Sequence, residues 1–267
     1  MPELAELRLT SEYINTSSQG REFYQIEKGK LHKGLEIRRP YQKFKIKAQS
    51  RGKELILYLC ESESDLVYTP IRMTMGMSGH FQLSTTGEEH KHAHLKFYTL
   101  DGLTLSFVDV RRFGRWKEGE EWSSNRGPDP TLEFQNFTRN IKSNLEKRDF
   151  DKPICEVLMN QKYFNGIGNY LRAEILYRVN VDPFISAREA LVSHPEIYRL
   201  CKWAPLQAYK LGGGQLKDWE NPFGEETLIR EWSEFMLCYG NPQMKKILDS
   251  NGRTFWYNPK WNIPPIE

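Results

Sequence analysis

The second residue of this chain is a proline and the third a carboxylate, in the order Met1-Pro2-Glu3. A small residue after the initiator methionine permits removal of that methionine, which turns Pro2 into a secondary amine. An α-amino group has a reference pKa of about 7.7–8.0, so a good fraction is neutral and nucleophilic near neutral pH. At the positive end of a helix that value falls further, and Glu3 stands beside it to move protons. The same residues also describe an ordinary helix start. Proline suits the first helical position, and Glu3 and Glu6 complement the positive end of the helix dipole. Both readings stand on these residues alone.

Three further stretches carry chemistry. In Phe164-Asn165-Gly166-Ile167-Gly168-Asn169-Tyr170 two glycines let the backbone turn tightly before a helix that starts at Asn169 or Tyr170. Free N–H groups there, next to Gly168, suit a phosphate, and the Asn169 amide adds a donor or caps the helix. A plain glycine-rich connector is the alternative. Val108 to Trp116 holds Arg111, Arg112 and Arg115 with Phe113 and Trp116 at a strand end. Guanidinium forks pair with phosphates or bases and aromatics stack on bases, whereas an exposed basic turn needs neither. His90, His92 and His94 alternate along an expected strand, but no fourth ligand sits at a sensible spacing, so no metal is expected.

The elements that must position these residues read as strands, then helices. In Lys43-Phe44-Lys45-Ile46-Lys47-Ala48 polar and apolar residues alternate as on a half-buried strand. Arg51-Gly52-Lys53 interrupts it and Glu54–Leu59 returns, which puts Lys53 at a hairpin tip or just after it. Further strands are expected at Ile71–Met75, Leu95–Thr99 and Leu103–Val108, the last two joined by a two-residue Asp101-Gly102 turn. Pro2 to Asn15 reads as a short helix. Arg126-Gly127-Pro128-Asp129-Pro130 excludes helix and central strand alike. Beyond it Phe134–Leu145, Lys152–Asn160, Tyr170–Arg178 and Pro195–Leu211 have helical spacing. Lys246 to Tyr257 carries an Asn251-Gly252 turn between strand-like flanks, a hairpin signal.

Composition bounds the function. Lys and Arg number 38 against 35 Asp and Glu, too mild a surplus to prove a polyanion partner. It is concentrated, however: eleven basic and three acidic residues lie between Arg21 and Lys53, a local charge near +8 within a chain of +3. That suits an anionic surface, or a solvated basic face. Aromatic residues at 13 % exclude a disordered chain. No apolar run reaches the roughly 18 residues a membrane span needs, and the acidic start is unlike a secretory signal. Cys60, Cys155, Cys201 and Cys238 form no C-x-x-C pair, which excludes a cysteine zinc finger. An intracellular globular protein is expected.

Taken in order, these pieces resemble the Fpg/Nei family of DNA glycosylases. The matching residues are Met1-Pro2-Glu3 with Glu6, Arg51-Gly52-Lys53-Glu54, Met75-Gly76-Met77-Ser78-Gly79, Asp109 to Trp116, Gly127-Pro128-Asp129, Phe164 to Glu174 and Asn251-Gly252-Arg253-Thr254. The His92-Ala93-His94-Leu95 stretch and the absence of a cysteine quartet are similar to the Nei-like branch, in which a "zincless finger" replaces the zinc finger. The resemblance implies an α+β fold: an N-terminal helix with a two-layer β-sandwich (residues 1–125), a hinge (126–132), and a helical helix-two-turn-helix domain (133–267) with a C-terminal β-hairpin at about 240–267. It implies a bifunctional glycosylase/AP lyase that excises oxidised pyrimidines and hydantoins from DNA through a Pro2 Schiff base, then cuts the strand by β,δ-elimination. Pro2, Glu3, Glu6 and Lys53 are the implied catalytic set. Asn169, Gly168, Arg253 and His92 contact DNA, while Met77, Arg111 and Phe113 fill the void left by the extruded base. Leu211–Gly224 resembles the lesion-covering loop, with Gly214 where relatives carry lysine or arginine. No cofactor is implied. The partner is double-stranded DNA, with bubble or single-stranded DNA as further substrates, bound by a monomer that is nuclear if the source is eukaryotic. A scaffold that binds damaged DNA without chemistry is the alternative, and RNA binding a weaker third reading.

Overall fold

The computed structural model describes residues 2–38, 40–61, 64–119, 121–214, 219–224 and 229–261. Met1, Arg39, the interior of the lesion-loop segment (215–218) and the end of the finger (262–267) lie outside the described residues.

Helix α1 (Leu4–Ser18) starts where a reciprocal capping box forms: the Glu3 N–H donates to Glu6 Oε2 at 2.7 Å while the Glu3 carboxylate accepts the Glu6 N–H. Its inward face, including Leu7 and Ile14, joins the core. Eight strands follow, β1 (Phe23–Lys28), β2 (Phe44–Arg51), β3 (Glu54–Glu61), β4 (Ser64–Thr74), β5 (His80–Thr85), β6 (Ala93–Thr99), β7 (Leu103–Val108) and β8 (Arg115–Glu118). They pair antiparallel in the order β5-β7-β6-β1-β2-β3-β4-β8. A single residue pair, Phe23 opposite Phe44, joins the two four-stranded halves. Residues of both halves, Phe81, Phe97 and Phe107 with Leu55, Leu57 and Met73, share one core. Phe107 of β7 meets Trp116 of β8 edge to face although the two strands lie near opposite ends of the ladder, which is therefore folded over itself into two layers, as expected.

Two expectations for the sheet change. Thr99 closes the β6–β7 connection through its hydroxyl, which accepts the Leu103 N–H and donates to the Leu103 carbonyl. Leu100, Asp101 and Gly102 all lie outside the strands, so the turn is longer than two residues. Of the three histidines, only His94 lies in a strand. His90 and His92 form a turn in which the His92 N–H donates to His90 Nδ1, so the three do not alternate along one strand.

The helical part comprises α2 (Phe134–Lys142), a 3-10 turn (Arg148–Asp151), α3 (Ile154–Val157), α4 (Asn169–Val179), α5 (Ala187–Ser193), α6 (Glu196–Lys210) and α7 (Ile229–Phe235). The hairpin β9 (Lys245–Leu248) and β10 (Thr254–Tyr257) follows. The helix expected over 152–160 shrinks to one turn, Ile154–Val157, with Pro153 at ψ 138° outside its start and Leu158 capping its end. The chain divides into two compact units, Met1–Ser123 with Gly212–Glu226, and Ser124–Leu211 with Thr227–Glu267. The segment from Gly212, which a linear division assigns to the helices, thus belongs with α1. The Gly214 N–H donates to Glu6 Oε1 at 2.8 Å, and Phe223 meets Tyr13 edge to face.

Within the second unit the hairpin is anchored by a buried ion pair. Arg172 of α4 and Asp249 at the hairpin tip lie 2.8 Å apart, with side chains 0 % and 2 % exposed. Burial pushes the Asp249 carboxyl upward, but the Arg253 N–H and the Arg172 guanidinium outweigh it and hold the group below its ordinary 3.8. Its charge therefore stabilises the folded state above that ordinary value, and the contribution is lost as pH falls through the depressed one. Asp249→Asn should flatten the acid limb of a urea-midpoint profile taken from about pH 5 to pH 2. Asp249→Ala, which strands Arg172, should cost about 3–5 kcal/mol at neutral pH.

Candidate active site

The N-terminal residues meet water very little. Pro2 is buried, and Glu3 and Glu6 are 2 % and 0 % exposed. Glu6 uses both oxygens on backbone N–H groups, one of Glu3 and one of Gly214. The carboxylate thus fixes the residue that follows Pro2 and the returning segment at once. Pro2 precedes the positive end of a 15-residue helix.

Lys53 comes from the β2–β3 hairpin. Arg51 pairs with Glu54, so Gly52 and Lys53 are the two turn residues. Gly52 has φ +57° and Lys53 does not share that sign, the pattern of a type II′ turn, which needs glycine first. Lys53 is only 9 % exposed. Helix α1 is pinned to the same hairpin by Asn15, whose amide accepts the Ala48 N–H and donates to the Ala48 carbonyl at 2.7 and 2.9 Å. Ser11 adds a hydroxyl contact to Ser50. One helix therefore carries Pro2 and Glu3 at its start and holds the strand that leads to Lys53.

Met77, Arg111 and Phe113 sit on two loops of the first unit. Phe113 is 51 % exposed and the Arg111 guanidinium lies 5.3 Å over its ring. The loops interlock closely. A Cβ on Gly76 would fall 2.6 Å from the Gly114 nitrogen, so only glycine fits, and its φ of +63° requires one as well. Asp109 and Ser78, both buried, bridge the loops: Ser78 Oγ–H donates to Asp109 Oδ1 at 2.5 Å, and the Gly114 N–H donates to Asp109 Oδ2 at 2.7 Å. The Asp109 carbonyl lies 3.0 Å from His94 Nε2. A carbonyl only accepts, so His94 is the Nε2–H tautomer. Burial lowers its pKa, which favours that neutral form. His92 is half-buried, and its carbonyl accepts the Asp109 N–H. It supports this loop through its backbone.

The remaining candidates belong to the second unit. Gly168 is the N-cap of α4 and Asn169 its first residue. Asn169 Nδ2 donates to the Thr254 carbonyl at 2.7 Å, and its Oδ1 accepts from Arg172. Arg253 projects from the hairpin tip, exposed, while Asp249 holds its backbone N–H. It lines a polar cleft of about 290 Å³ with Lys152, Asn160 and Asn251. Glu174, fully buried, accepts the N–H groups of Leu237, Cys238 and Tyr239 ahead of the hairpin. Sequence reasoning misses Ser78, Asp109, Arg172, Glu174 and Asp249 as organising residues. A polar residue inside an apolar or glycine-rich run is the signal available. Among the described residues no group of three His, Cys, Asp or Glu could hold a metal, and no helix is long and apolar enough to cross a membrane.

Known proteins resemble the chain in sequence and in fold. Residues 1–116 match the formamidopyrimidine-DNA glycosylase N-terminal domain, and residues 229–260 match the DNA-binding segment of endonuclease VIII-like 1. Endonuclease 8-like 1 of Homo sapiens is 39 % identical over 96 % of this chain and 72 % of that protein, and the Mus musculus protein matches equally. Formamidopyrimidine-DNA glycosylase of Streptococcus pneumoniae is 29 % identical over 69 % of this chain and 67 % of its own. In fold, the Fpg protein of Thermus thermophilus superposes with TM-score 0.78 at 23 % identity, over 97 % of this chain and 98 % of that one. Lactococcus lactis Fpg, solved with DNA containing an oxidised pyrimidine, gives 0.78 at 21 % with the same coverage. The chain belongs to the Fpg/Nei family of DNA glycosylases and AP lyases, on its Nei-like branch.

Proposed function

We propose that this DNA repair glycosylase excises oxidised pyrimidines, including thymine glycol and 5-hydroxy pyrimidines, and hydantoins, through a Schiff base on Pro2. The observation that carries the reading is the buried Pro2-Glu3 start of α1, tied by Glu6. After removal of Met1, the Pro2 nitrogen lies at the positive end of that helix, which favours its neutral, nucleophilic form.

The Pro2 nitrogen attacks C1′ and the bond from C1′ to the base breaks, its electron pair leaving with the base, which takes up a proton. Glu3 donates a proton to the ring oxygen as the sugar opens, and the nitrogen loses its own proton to leave an iminium. Loss of a C2′ proton expels the 3′ phosphate, loss of a C4′ proton expels the 5′ phosphate, and water then frees Pro2. Lys53 contacts a phosphate beside the lesion and assists. Asn169, Gly168, Arg253 and His92 contact DNA around the extruded nucleotide. Met77, Arg111 and Phe113 occupy the space it leaves, since an enzyme acting at C1′ must take the nucleotide out of the stack.

Borohydride added to the protein and a duplex bearing one thymine glycol should trap a covalent complex mapped to Pro2, and Pro2→Gly should weaken or redirect the lyase. Absence of a cross-link with Met1 removed, on an abasic duplex as well, would leave a binding scaffold instead. Glu3→Gln should lower base excision at least about 100-fold with duplex affinity retained, as single-turnover rates and a binding isotherm would register. Arg253→Ala should weaken binding to all sequences alike and reduce the salt slope of log K by about 1. An unchanged slope removes Arg253 from the phosphate contacts.

A further inference from the structure

We propose that Ser78 and Asp109 are positioning residues that set the shape of the Met77 loop and the Arg111–Phe113 loop together, and thereby control how well the gap opposite an extruded nucleotide is filled. The inference deepens the void-filling reading above and rests on it. It starts from one hydroxyl with two jobs. Ser78 Oγ donates to Asp109 Oδ1 at 2.5 Å and accepts the Arg111 N–H at 3.1 Å. Ser78 follows Met77 directly, while Arg111 is itself a void-filling candidate. A single oxygen therefore links the backbones beneath both residues.

Asp109 completes the frame from below. Its second carboxylate oxygen takes the N–H of Gly114, the residue after Phe113, and its carbonyl accepts the Arg112 N–H at 3.2 Å. The turn between is strained, since Arg112 has φ +56°, a value a non-glycine residue adopts only when its surroundings impose it. The imposing groups are the carboxylate at 109, the hydroxyl at 78, and the Gly76 backbone pressed against Gly114. Asp109 is fully buried and Ser78 4 % exposed, whereas Arg111, Arg112 and Phe113 are exposed. The buried pair holds the shape and the exposed side chains present it. Removing the Ser78 hydroxyl takes one partner from the Arg111 N–H and one from Asp109 Oδ1, and relaxation falls on the two loops rather than on Pro2 or Glu3.

This role differs from general stabilisation in one measurable respect. A lesion in a single strand has no opposite base and leaves no gap to fill, so its excision does not depend on these loops. Single-turnover excision would be compared on a duplex with one thymine glycol and on the same strand unpaired, with strand cleavage at an abasic site in a single strand as a second unpaired reaction. A 2-aminopurine opposite the lesion reports the filling step itself. Ser78→Ala should slow the duplex reaction roughly tenfold and leave the unpaired substrates within about twofold, the scale of one lost hydrogen bond. The 2-aminopurine signal on binding should fall in parallel, and Ser78→Thr should restore both. Equal slowing on paired and unpaired substrates, or no slowing on the duplex, overturns the proposal. Arg111→Ala is run alongside. If it too treats both substrates alike, the void-filling reading fails and this inference with it. If it is selective for the duplex while Ser78→Ala is not, this inference alone fails. Should Ser78→Ala not fold, Ser78→Cys keeps the volume with a much weaker hydrogen-bonding group, and the ratio of duplex to unpaired rates decides in the same way.

Discussion

A carboxylate taken out of water must be met by hydrogen-bond donors, and at the start of this chain that requirement falls on Glu6. With no exposed surface, it spends one oxygen on the Glu3 N–H and the other on the Gly214 N–H. Losing either donor would take a hydrogen bond from a buried carboxylate, at a cost on the order of 1–3 kcal/mol. The first helical turn and the glycine segment 208 residues away are consequently one piece of structure. The proposed nucleophile at Pro2 inherits its position from that piece.

The same device recurs at three other places in the chain. Asp109 holds the loop of Arg111 and Phe113, Asp249 the hairpin tip of Arg253, and Glu174 the turn that leads into that hairpin. In each case a buried acid binds backbone N–H groups, and the exposed side chains nearby are left to face a partner. Rigid backbone under exposed cations suits a protein that must hold DNA in one geometry, because little ordering remains to be done on binding. It also separates the two kinds of residue by burial: Arg253 and Phe113 are accessible, while the side chains of the acids beneath them are not.

Much of the scaffold is legible in the sequence. Strict alternation at 43–48 marks β2, and Asn251-Gly252 marks the final hairpin, because each signal is local and strong. Strands β1, β5 and β8 are not legible. Phe23–Lys28 and His80–Thr85 carry mostly polar or half-exposed faces, and Arg115–Glu118 is a four-residue edge with only Trp116 inward. Alternation at His90, His92 and His94 misleads for the opposite reason: a tight turn before β6 breaks the period that the spacing imitates.

Local chemistry is enough to specify a proline and an acid at a helix start, a Gly-Lys turn between two strands, a glycine-bounded helix at Asn169, and a basic hairpin tip at Arg253. The family is legible too, since those motifs occur together and in order. Which donors the buried charges use depends instead on the folded chain. Gly214 for Glu6, Ser78 for Asp109 and Arg172 for Asp249 lie 208, 31 and 77 residues from the acids they serve. No spacing rule connects them. A carboxylate accepts from whichever N–H, hydroxyl or guanidinium packing brings within about 3 Å, and packing is a property of the whole chain.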